Sequence, residues 1–175
     1  MTVQMKFKTM RHIETVRNYL NTVIKELLYR QEQHDQSKMQ EPEAAIFEEY
    51  TPKLRDVTYG SELYNQYLKE MQVALDHHYS NNRHHPEFFS LTVADDFAYW
   101  EDGKRTLLSC MTLIDLIEML CDWKAGALRH ADGDIFKSIN INQSRFGYSD
   151  ELKQVLINTV KWINKQNTYH KADES

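Results

Sequence analysis

Four of the chain's eight histidines fall within nine residues, as His77-His78 and His84-His85. A fifth, His34, is followed directly by Asp35, and Lys38 comes three residues later. A third group is acidic: Asp115, Glu118 and Asp122 stand at i, i+3 and i+7. Imidazole and carboxylate are ligand types for transition metals. A lysine one turn after a metal-binding aspartate can hold a phosphate oxygen or orient an attacking water. Such groups are costly to gather unless a cation compensates them. If they converge, the chemistry is metal-assisted hydrolysis.

Each piece also has a plain reading. His34-Asp35 can be a solvated helix terminus. The stretch from His77 to Glu87 can be a surface loop with incidental metal affinity. The acidic stripe can be satisfied by a buried ion pair to Arg83, Lys124 or Arg129. Lys124, Arg129 and His130, near the end of the acidic helix, are candidates to hold an anionic substrate.

Helical periodicity dominates the elements that must position these groups, and glycine and proline are scarce (five and three). The first helix is expected from near Thr9 to past Leu28. Ile13, Val16, Leu20, Val23, Ile24 and Leu27 form one apolar face, which His34 extends if the helix continues. A short helix over Ala44 to Tyr50 follows the break at Glu41-Pro42-Glu43. Ser61 caps a helix from Glu62 to about His78. Asn81 to Phe89 reads as a loop, and Leu91 to Trp100 as a short helix or an extended piece. A strongly apolar helix runs from Thr106 to about Arg129, carrying the acidic stripe. Asp132-Gly133-Asp134 is a turn. Ser149 caps a last helix from Asp150 to about Asn164. The expectation is an all-α, single-domain bundle over 1–175, with its core at about 9–164 and a frayed polar tail at 165–175.

The order of these motifs resembles the HD-domain superfamily of metal-dependent phosphohydrolases. There a histidine on an early helix, a His-Asp pair, intervening histidines and a final aspartate sit on a helical bundle. The chain also looks like a narrower group of phage and bacterial proteins with HDxSK, HHxxxNxxHH-like and EMxxDW segments. Here these read His34-Asp35-Gln36-Ser37-Lys38, His77 to His85, and Glu118-Met119-Leu120-Cys121-Asp122-Trp123. The resemblance spans roughly residues 12 to 130. It implies one or two divalent transition-metal ions (Mn, Fe, Co, Ni or Zn). The first would take His12, His34, Asp35 and Asp122. The second would take His78 with His84 or His85, bridged by Asp35. Lys38 would assist Asp35 in catalysis, Asn82 would contact substrate, and Glu118, Asp115 and His77 would support the ligands. His12 lies 22 residues before His34, with no glycine or proline between them. On one continuous helix the two would be ~33 Å apart, so His12 can join only if the chain turns back near Lys25 to Gln33.

The resemblance implies hydrolysis of a phosphate ester in a nucleotide or related small phosphorylated molecule, by metal-bound hydroxide. Two other readings share the bundle: a di-iron oxygenase, and a non-catalytic nucleotide- or protein-binding module. A net charge of −5 argues against a duplex-coating protein. A hydrophobic content of 41% with 27% charged residues is that of a folded domain. Cys110 and Cys121 would lie ~16 Å apart on one helix, too far to bridge. With no apolar leader after Met1 and no uncharged run of membrane-spanning length, a cytoplasmic setting is expected. The oligomeric state is open.

Overall fold

The computed structural model describes residues 2–58, 60–92, 107–129 and 133–172, without the side chains of 91–92 and 168–172. Among the described residues every regular element is helical. The α-helices are α1 (Val3–Gln33), α2 (Glu43–Arg55), α3 (Glu62–Glu70), α4 (Gln72–Asn81), α5 (Phe88–Thr92), α6 (Leu113–Ala127), α7 (Ile135–Phe146) and α8 (Asp150–Ala172). Two short 3₁₀ turns cover Gln36–Met39 and Leu107–Cys110. None of these helices is long and apolar enough to cross a membrane. By contacts the chain divides into Met1–Gln36 and Ser37–Ser175.

The first unit is α1 and its exit. Thr2 caps the helix by accepting from the Met5 N–H at 3.3 Å. Local pairs follow along it, including Arg30 to Glu26 at 2.8 Å, one turn apart. With no glycine or proline to interrupt it, α1 starts earlier than the apolar pattern suggests and, as expected, runs past Leu28. The apolar face of the pattern is exposed: Ile13 is 51% and Leu20 57% accessible, and no α1 residue is buried. The helix stops at Gln33. His34 is its C-cap, and Asp35 follows with φ of 57°, a left-handed turn that aspartate tolerates better than most side chains. His34 therefore leaves the helical face instead of extending it.

The second unit holds the core. Leu108, Met119, Leu120, Ile135, Ile139, Tyr148, Leu156 and Val160 form one buried cluster from α6, α7, α8 and their connections. The Tyr148 hydroxyl donates to the Ile139 carbonyl, and burial pushes its pKa up to about 12. α6 packs on α7 and α7 on α8, while α4 packs against α2, α3 and α5. The expected helix from Glu62 to His78 is two: it breaks at Met71, which is fully buried with Ala74. The expected loop from Asn81 to Phe89 is shorter, because successive turns at Asn82, His85 and Pro86 lead into α5. The apolar run does not begin its helix until Leu113. Thr112 and Asp115 form a reciprocal capping box there, which satisfies two otherwise orphan donors.

Helix α7 lies where only a turn is expected at its start. Asp134 caps it and Gly147, at φ 69°, ends it. Ser149 caps α8, accepting from the Leu152 N–H at 3.2 Å. α8 continues through Ala172, eight residues past the expected end at Asn164. The Leu91–Trp100 piece lies outside the described residues beyond position 92, as do Thr106, Asp132 and His130.

Candidate metal centre

Three elements of the second unit bring ligand-type side chains together. α4 supplies His77 and His78 near its end. The turn after it supplies Asn82, Arg83, His84 and His85. α6 supplies Asp115, Glu118 and Asp122 on one face, since i, i+3 and i+7 superpose on a helix. His78, His84 and His85 each offer a ring nitrogen, and the three nitrogens lie within 4.8 Å of one another. His78 and His84 are 2% and 1% exposed.

Nε2 of His78 lies 2.9 Å from Nε2 of His85. Two nitrogens on one ion at roughly 2.0–2.1 Å and a right angle are separated by about 2.9 Å. The spacing therefore suits two ligands of one cation, as well as a hydrogen bond between them.

Two carboxylates hold the opposite nitrogens. Glu118 Oε1 is 3.1 Å from Nδ1 of His84. Glu43, in the first turn of α2 and 0% exposed, faces Nδ1 of His77 at 2.7 Å and of His78 at 2.8 Å. A metal-binding histidine commonly donates its second N–H to a carboxylate in this way. Glu43 was not singled out from sequence. It resembles any first-turn acid after a proline, and only its 34-residue separation from His77 reveals its partner.

Asn82 is buried. Its amide donates to Ser37 Oγ and to the His78 carbonyl, both at 2.8 Å. That places the amide in a packed network between Ser37, in the short 3₁₀ turn, and α4. In the same turn, Lys38 Nζ stands 5.2 Å from the Phe47 ring centre. Phe47 in turn packs edge-on against His78 at 5.7 Å.

The acidic stripe divides its duties. Asp115 is fully buried and bound to Arg83 at 3.3 Å, and it closes the Thr112 cap at 2.8 Å. Burial pushes its carboxyl up; hydrogen bonds from the Thr112 backbone and the Arg83 guanidinium more than offset this and leave it below its ordinary value. Asp115 thus takes the ion-pair option. Asp122, two turns on, has a carboxylate oxygen within 4.8 Å of a His84 nitrogen. Lys124 is half-buried on the same helix and Arg129 exposed just beyond it.

In the first unit, His34 and Asp35 are adjacent, with Nε2 3.6 Å from Oδ2. His12 lies in mid-helix. Because α1 is unbroken from Val3 to Gln33, His12 is ~33 Å from His34 along the axis. The two cannot share an ion, and His12 drops out of the ligand set.

No curated protein and no solved structure matches the chain. One family model does, over residues 1–167, which takes in every element that carries the histidines and carboxylates above. The chain belongs to that family, described as a family of unknown function, DUF5662.

Proposed function

We propose that this protein is a metal-dependent phosphohydrolase on an HD-like bundle, acting on a nucleotide or related small phosphorylated molecule. The observation that carries the reading is the set of three imidazoles, His78, His84 and His85, converging within ligand distance in a mostly buried place. Asp122 of α6 adds a carboxylate oxygen within 4.8 Å of a His84 nitrogen. Because Nδ1 of His84 faces Glu118, His84 has one nitrogen to give and serves one ion. That ion is assigned to His78, His84 and His85, and the motif order adds His34, Asp35 and Asp122 to the proposed ligand set.

Imidazole with a carboxylate suits Mn, Fe, Co, Ni or Zn better than Mg or Ca. A bound ion supplies water of lowered pKa and a clamp for phosphoryl oxygens. Asp35 and Lys38, three residues apart in sequence, are the residues assigned to orient the attacking water and the phosphate. The negative net charge favours a small substrate over duplex nucleic acid.

Elemental analysis of protein purified without chelator tests this. About one transition-metal ion per chain is expected, lost in His84→Ala and in Asp35→Asn. The same preparation is then assayed for phosphate release from nucleoside mono-, di- and triphosphates. Protein that carries no metal and takes none up on titration sinks the reading. A loaded protein with no turnover on these phosphates favours the binding module instead.

A further inference from the structure

Glu43 is a fully buried acid beside the histidines, and nothing in the motif pattern points to it. Its two oxygens are committed separately, one to Nδ1 of His77 and one to Nδ1 of His78. An ionised carboxylate only accepts, so each Nδ1 must carry the hydrogen. In the neutral His78 imidazole this fixes the tautomer: Nε2 keeps its lone pair and lies 2.9 Å from Nε2 of His85. The imidazole is otherwise held by the Phe47 ring on one side and by Asn82 and Ser37 near Nδ1. Among the contacts described for this ring, only the carboxylate demands a hydrogen on that nitrogen. Glu43 also reaches across from α2 to α4, so it aims the ring as well as setting its proton.

We infer that Glu43 is a positioning residue for the metal centre, acting through His78 to present Nε2 as a ligand. The inference rests on the metal reading above. Removing such a partner typically weakens metal affinity about 10–100-fold. Glu43→Met keeps a side chain of similar length with no acceptor. Glu43→Gln keeps one acceptor oxygen, enough for one of the two imidazoles.

The test is Co²⁺ titration of the full chain, read by visible absorption, with thermal unfolding of the metal-free proteins alongside. The expected result is binding at least ten-fold weaker in Glu43→Met, with a changed absorption band. Glu43→Gln should lie between it and the parent. If Glu43→Met does not fold, the comparison of Glu43→Gln with the parent decides: weaker binding supports the role. Unchanged affinity and spectrum in a folded variant overturn it, even where thermal stability falls, because Glu43 would then be only a staple between helices. A parent protein that binds no Co²⁺ overturns the metal reading as well, which separates the two failures.

Discussion

Arg83 and Asp115 show how a charge beside a candidate site can be structural. Asp115 is buried and held below its ordinary pKa, while the Arg83 side chain is 42% exposed. A hydrogen bond to a charged group contributes about 1.5–3 kcal/mol, and solvent screening of the exposed partner brings the expected loss in Arg83→Gln to about 1–2 kcal/mol. A depressed carboxyl stabilises the fold fully above its unfolded value of about 3.9, and that stability is lost as pH falls through the folded value. The difference between Arg83→Gln and the parent, measured by urea unfolding, should be present at pH 7 and shrink in strong acid. A gap that does not change with pH removes the ion pair as its cause. The residue types were legible in sequence here, but their division was not. Asp115, Glu118 and Asp122 share one face, and only their partners (Arg83, His84) separate a cap from an orienting acid and a ligand candidate. Glu43 was invisible for the same reason, since its meaning lies in a long-range contact.

At the scale of elements, caps outperformed periodicity. Ser61 and Ser149 mark true helix starts, and the side chains accept from the third N–H beyond each. The apolar run before Trp123 has no period of its own to show where α6 begins; Thr112 decides it. Thr112→Ala removes one arm of the capping box and should cost about 1 kcal/mol, read as a lower unfolding midpoint with the metal content unchanged. A loss of bound metal at unchanged stability would instead mean that the cap aims Glu118 and Asp122. α7 escaped notice because its buried positions, Ile135, Ile139 and Asn142, include a polar residue. Its delimiters, Asp134 and Gly147, were in plain view. The break at Met71 had no local signal at all: Tyr67, Leu68, Met71 and Leu75 keep helical spacing straight through it.

For the whole molecule, the second unit has two sets of helices, α2 to α5 and α6 to α8. His84 with Glu118, Arg83 with Asp115, and Arg145 with Glu87 tie them together. An ion held by the histidines would add a tether at the same seam. A ligand that binds only the folded state at a hundred times its Kd stabilises it by about 2.7 kcal/mol. Chelator treatment of metal-loaded protein should therefore lower the thermal midpoint, and adding the ion back should restore it; a midpoint indifferent to both excludes an ion at this seam.

The left-handed backbone at Asp35 restricts that position before any chemistry is considered. Glycine, asparagine and aspartate are the residues such a turn accepts at low cost. Of these, aspartate alone has a charged oxygen to offer. The side-chain alphabet is thus cut twice at one position, once by chain direction and once by charge, and the two cuts leave a single letter. Alanine at 35 would strain the turn as well as delete the carboxylate, whereas asparagine changes the charge and leaves the turn in place.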